Sequence, residues 1–338
     1  MKRRALLSTV AAAAVAGCLG DGGGSGTTTG TETTGRTDEP TTRATTRETT
    51  ASATPPALSD LGVPVGQVDS PFEADDGVER VVWHPGEADE PLALTPAADE
   101  LSLPTDGTTF ALANDTDVDF SLNFYDWGLH RRVDDEWFYL TPQEVPQPLH
   151  VLSAGETHEW AFTVDNTLEP SHGRAGETEA TVAGLGGGEY AFAVSGWFES
   201  GDHEHRVGLG AAFALDGDPL ELAVPGDFST ERDGDRVTAT VDGQAGSTAE
   251  VLVVERVGDA GVPDDQSVQR YVAEQLVRPF VGARRPWLGE ALALFEDGVA
   301  TVRVETAAAF ENLRFDREDV HYFDYRGDVY EARVETED

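Results

Sequence analysis

Beyond residue 58 the chain runs in short apolar stretches broken by Gly, Asp, Asn and Pro. Phe110 and Leu112 alternate with small or polar neighbours, and so do Phe120, Leu122 and Phe124, then Trp160, Phe162 and Val164. Tyr190, Phe192, Val194, Gly196 and Phe198 fall on one face of a strand; Val207, Leu209, Ala211, Phe213 and Leu215 fall on one face of the next. Period-two alternation punctuated by turn residues predicts antiparallel strands that each turn one side inward. A β-sandwich over residues 58–226 is the economical architecture.

From residue 227 the pattern changes. Residues 236–241 and 249–257 predict two strands joined by a Gly-rich turn, after which Asp264-Asp265-Gln266-Ser267 opens a stretch with Val268, Tyr271, Val272 and Leu276 at near-helical spacing. A cap residue there favours a helix, although residues 271–277 fit a strand equally well. Pro286 ahead of Trp287, Leu288, Ala291, Leu292 and Phe295 predicts a helix, because proline suits a first turn and the apolar spacing is three to four. Strands over 299–305, 320–325 and 329–334 should follow, the last two joined through Arg326-Gly327-Asp328. Residues 227–338 therefore read as a small α+β domain, mainly β overall when taken with the sandwich.

The first eighteen residues have a different character. Lys2, Arg3 and Arg4 precede an apolar run over 5–16 that ends at Gly17-Cys18. A charged start, a short apolar segment and a small-residue exit describe an export signal, too short to stand as a membrane-spanning helix. Cys18, the sole cysteine, occupies the position that is lipidated in lipoprotein signals, so the membrane is the first expected partner. The segment resembles the lipoprotein signals of extremely halophilic archaea. Its arginine pair implies twin-arginine export, while Lys2, where Ser or Thr is commoner, leaves the general secretory route open. Residues 19–57 carry almost no large apolar side chain and are rich in Thr, Gly, Ser and Ala, as expected of a disordered stalk that offers hydroxyls to O-linked sugar.

Charge sharpens the habitat. Acidic residues number 63 against 23 basic ones, a formal net charge of −40, and Lys2 is the only lysine. Such like charge repels itself in dilute buffer, whereas at molar salt the screening length falls to about 3 Å. A hydrophobic content of 39%, with six Trp and fifteen Phe, supplies a core that an acidic disordered chain would lack. The same acidity excludes nucleic acid as a partner.

Leu185-Gly186-Gly187-Gly188-Glu189-Tyr190 sets a Gly-x-Tyr at a strand entry, the arrangement of a tyrosine corner in which the Tyr190 phenol bonds backbone upstream. It follows Leu112-Ala113-Asn114-Asp115-Thr116, an aromatic-rich strand up to Leu129, Trp137 with Pro142, and Leu152-Ser153-Ala154-Gly155-Glu156 ahead of Trp160. In this order the pieces resemble a bacterial immunoglobulin-like domain over residues 110–198. The resemblance implies an extracellular spacer, adhesion or assembly module with no catalytic residues. With one cysteine an inter-sheet disulfide is impossible, so hydrophobic packing must hold the sheets.

Candidate chemistry is sparse. In Asp202-His203-Glu204-His205 two imidazoles at i and i+2 would share a strand face and a metal, but no further His or Cys stands nearby, and the stretch reads equally as a hairpin loop. Asp115, Asp117 and Asp119 alternate like calcium ligands, yet Phe120 and Asp126 stand where such a loop needs Gly and Glu. The glycines over 184–188 lead into a strand, not a phosphate-binding helix. Asn114-Asp115-Thr116 is an N-glycosylation sequon, and Arg284-Arg285 reads as two charges before a helix. There is no Gly-x-Ser-x-Gly elbow and no His-Glu-x-x-His helix. The expectation is a non-enzymatic, cofactor-free, lipid-anchored surface protein that binds other cell-surface proteins or glycans. The rivals are a solute-binding lipoprotein of a transporter and a secreted hydrolase.

Overall fold

The computed structural model describes residues 56–338 apart from 74–76, 87–89, 199–202, 204, 242–249, 308–309, 311 and 337–338. The export segment, Cys18, the stalk up to residue 55 and Asp202 thus lie outside the described residues. In chain order the first part forms β1 (Val63–Pro64), β2 (Val78–His84), β3 (Leu92–Pro96), β4 (Glu100–Ser102), β5 (Thr105–Asn114), β6 (Phe120–Leu122) and β7 (Gly128–Val133). It continues with β8 (Glu136–Thr141), β9 (His150–Leu152), β10 (Thr157–Asp165), β11 (Glu179–Val182), β12 (Gly188–Phe198) and β13 (Arg206–Asp216). The second part forms β14 (Phe228–Asp233), β15 (Arg236–Val241), β16 (Glu250–Arg256), β17 (Val268–Tyr271), α1 (Ala273–Leu276), α2 (Trp287–Leu292), β18 (Thr301–Thr306), β19 (His321–Tyr325) and β20 (Asp328–Glu335). No helix among the described residues is long and apolar enough to cross a membrane.

The first sheet runs β1-β2-β13-β12-β6-β9, with β4 also on β13 and the β7–β8 hairpin on β12; the second runs β11-β10-β5-β3. The predicted inward faces pack against one another. Phe110 of β5 stacks on Phe192 of β12 with centroids 4.4 Å apart, and Phe162 of β10 meets Phe213 of β13 edge-on at 5.5 Å. Trp160, Phe110, Phe162 and Phe192 are fully buried, each contributing about 1.5–3 kcal/mol of transfer free energy. The Trp160 indole N–H donates to the Phe124 carbonyl at 2.9 Å, so its polar atom is satisfied inside the core.

Strand direction departs from the purely antiparallel expectation. β2 and β4 run parallel to β13, and β11 runs parallel to β10. Alternation fixes which face of a strand is buried and says nothing of direction, which depends on how the connecting chain returns it. Here the parallel partners are joined by long stretches of intervening chain.

The third sheet, β14-β15-β18-β16-β20-β19-β17, is mixed as well, with β15 parallel to β18 and β17 parallel to β19. Its buried face (Leu252, Val254, Val302, Val304, Phe323) forms a second core with Leu276, Leu288, Ala291 and Leu292 of the two helices. The ambiguous segment is divided: β17 ends at Tyr271, Val272 is extended, and α1 spans a single turn. The Gln275 carboxamide accepts from the Val272 N–H at 3.2 Å, closing that turn from inside. Val272 itself joins the first core, so the second part of the chain is plugged into the first. β19 and β20 are linked by Arg326-Gly327 with φ of 55° and 84°, a two-residue hairpin turn whose twist matches the strands.

Candidate functional site

The Gly-rich turn before β12 is where the two cores meet. The Tyr190 hydroxyl donates to the Gly186 carbonyl at 2.7 Å, and Glu274 Oε1 from α1 lies 3.2 Å from the same hydroxyl. The Gly186 N–H points at that carboxylate too, at 3.4 Å. Burial, then the neighbouring Glu274 charge, pushes the Tyr190 phenol well above its usual range, so it stays a neutral donor. Gly188 has φ of +142°, and a Cβ there would fall 1.9 Å from the Arg131 guanidinium. The missing side chain makes room for Arg131, which donates to the carbonyls of Gly187 and Glu189 and lies over the Tyr190 ring at 4.8 Å.

Arg131 Nε is 3.5 Å from Glu274 Oε1, close enough to pair in charge, yet it makes no hydrogen bond. One helical turn beyond Glu274 in the chain, the fully buried Arg278 donates to the carbonyls of Ala183, Gly184 and Glu274. Burial brings Arg278 down to about 10, still charged at neutral pH. Glu274 therefore feels two cations, Arg131 at ion-pairing distance and Arg278 through its field, and it lines a junction cavity.

The cavity measures about 690 Å³ and is walled by Arg131, Glu274, Arg270, Tyr271, Asp324 and Arg326. That size and a position between two cores are typical of small-molecule sites. Arg270 of β17 reaches across to the β7–β8 hairpin, with Nη2 2.5 Å from Asp134 and Nη1 3.3 Å from Glu136, while its Nε is 3.9 Å from Asp324. Tyr271 is pushed up to about 12 by burial and sits 3.2 Å from His321, whose imidazole burial holds near 4. Arg326 stands at the exposed hairpin tip, donates once to the Leu220 carbonyl at 3.0 Å, and has no carboxylate within ion-pairing distance among the described residues. One open cation and the incompletely paired Asp324 thus face the cavity mouth.

Of the candidate site residues singled out in the sequence, Tyr190 belongs to this site, together with the glycines of the 184–188 turn; Tyr271 and Arg326, read there only as element and turn residues, line the cavity. Asn114 is fully buried, and its amide donates to the carbonyls of Val118 (2.9 Å) and Leu152 (3.1 Å), with that of Ser153 at 3.3 Å. In the folded chain the amide of this sequon asparagine is thus turned inward and engaged. Asn114 Oδ1 also accepts from the Thr116 hydroxyl at 2.6 Å, so the pair builds a turn. His205 Nδ1 pairs with Glu79 across the β2–β13 contact, and His203 is exposed. No group of three or more His, Cys, Asp or Glu side chains able to hold a metal occurs among the described residues. Asp119 accepts from the Ala154 N–H at 3.0 Å, and Arg285 is spent on Asp227 and Glu290.

Arg131, Arg270 and Glu274 escaped the sequence reading, and Arg326 was read only as a turn residue. Each looks like an ordinary surface charge, and their convergence depends on contacts between residues more than a hundred positions apart. No protein-family model matches the chain, and no curated protein matches it either.

Proposed function

We propose that this chain is a lipid-anchored, cell-surface binding module whose ligand occupies the junction cavity. The observation that carries this reading is the cavity itself, with Glu274 and Arg131 at its base and the open cation of Arg326 at its mouth. The ligand class that matches is a small zwitterion, its carboxylate at Arg326 and its amine at Asp324. The export signal with Cys18 and the acidic composition support a surface location in concentrated salt. The Tyr190–Gly186 bond supports an immunoglobulin-like sandwich, from which the parallel strands β2, β4 and β11 are a departure.

The same cavity favours a second reading, a solute-binding lipoprotein that hands its ligand to a transporter. Calorimetric titration of the full chain in molar salt with amino acids and dipeptides tests the site. Binding that weakens about tenfold in Arg326→Ala supports it, and heatless titration across the set excludes it.

A further inference from the structure

The row of β13 on the side of Trp83 consists of Gly208, Gly210, Ala212 and Ala214; Phe72 and Trp83 cover the two glycines, and the two alanines stay partly exposed. The glycine at 210 has a steric reason. A Cβ there would come within 2.3 Å of the Trp83 ring, so the indole approaches bare backbone. Trp137 of β8 approaches Trp83 at 5.8 Å with the rings inclined by 68°. Between them and the Ala212–Ala214 floor runs a shallow groove of about 420 Å³.

One wall of the groove is fixed by a closed polar network. The Trp137 indole N–H donates to Asp69 at 2.8 Å, Asp69 pairs with Arg132 at 2.5 Å, and Arg132 also reaches Glu189 at 2.8 Å and Asp135 at 2.9 Å. With three carboxylates around it, Arg132 offers no net positive charge to a ligand. The opposite bank holds Asp99 and Glu100, both exposed and neither ion-paired among the described residues. The site therefore presents two aromatic rings, one of them anchored through its indole N–H, a floor of small alanine side chains, and two open acceptors along one edge.

We propose that this groove binds a neutral glycan. The C–H face of a pyranose ring is apolar and matches an indole, while its hydroxyls are donors that suit the carboxylates of Asp99 and Glu100. At contact distance, inside the screening length of concentrated salt, the carboxylates of Asp99 and Glu100 turn away uronic acids and sulfated sugars. A quaternary ammonium is also drawn to aromatic rings, but it is held by cages that surround it, and two inclined rings over an open trough leave most of its surface in water. The groove has walls of its own, separate from those of the junction cavity, so Arg326→Ala leaves glycan binding unchanged.

Affinity electrophoresis of the full chain in detergent and concentrated salt, through gels containing a glucan, a mannan, a galactan or polygalacturonate, tests the assignment. At least one neutral polysaccharide should retard the protein and quench its Trp fluorescence, with no retardation by polygalacturonate. Trp137→Ala should weaken retardation at least tenfold, and the surface pair Asp99→Asn with Glu100→Gln about threefold or more at an unchanged melting temperature. The second variant keeps the test decisive if the first fails to fold. Absence of retardation by all three neutral polymers, equal retardation by polygalacturonate, tighter binding of choline than of any sugar, or full affinity in the double variant would each overturn the proposal.

Discussion

Glu274 Oε1 lies 3.2 Å from the Tyr190 hydroxyl, so a helix of the second core completes the corner of the first. One carboxylate answers the phenol, the Gly186 N–H and the flanking charges of Arg131 and Arg278. Removing either partner should not cost the same. Tyr190→Phe leaves one acceptor on each side unmatched and should lower stability by about 1–3 kcal/mol. Glu274→Ala strands buried cations and should cost about 3–5 kcal/mol. Denaturant midpoints of the two single variants and the double variant, read as a cycle, measure the coupling.

Gly188 and Gly234 both have positive φ, yet only Gly188 faces a side chain. A Cβ at Gly234 meets nothing within 4 Å, whereas at Gly188 it strikes Arg131. Gly234→Ala should cost about 1 kcal/mol from the backbone alone, and Gly188→Ala clearly more, through displacement of Arg131. Equal thermal shifts in the two variants would mean that Arg131 is free to leave the corner.

Stability should fall as acid is added, through two imidazoles. Burial holds His130 and His321 near 4, below the value of about 6.5 expected in the unfolded chain. Between those values the unfolded chain binds more protons, so their contribution is complete above pH 6.5 and is lost as pH drops toward 4, up to about 3 kcal/mol for each. His321→Phe should flatten the melting-temperature profile between pH 7 and 4 relative to the parent chain. An unchanged slope would place the His321 ring in water.

Asn114 should carry no sugar in mature protein, which peptide mass spectrometry reads directly. Asn114→Ala should destabilise by about 1–3 kcal/mol, because the carbonyls of Val118 and Leu152 lose their donors.

The contrast between Asn114 and Tyr190 shows what was legible in the sequence. Strand faces could be read because alternation of large apolar residues is a local property: the rows from Tyr190 to Phe198 and from Val207 to Leu215 are buried as expected. The phenol of Tyr190 bonds four residues upstream, again a local matter. Asn114 matched a three-residue pattern whose accessibility is decided by chain thirty-eight positions away at Leu152. Direction in β2, β4 and β11 was not encoded in their alternation. The near-helical spacing around Val272 was ambiguous because one residue leaves a strand and the next starts a helix. Arg131 and Glu274 acquire meaning only once the two cores are docked.

The most direct measurement is a native mass spectrum of the chain isolated from its own membranes in concentrated salt. The account predicts a mature protein beginning at Cys18 with a covalent lipid mass, accompanied by a small non-covalent adduct that Arg326→Ala removes. A spectrum of lipid-free protein with no adduct, unchanged in the variant, would contradict both the anchor and the ligand at the junction.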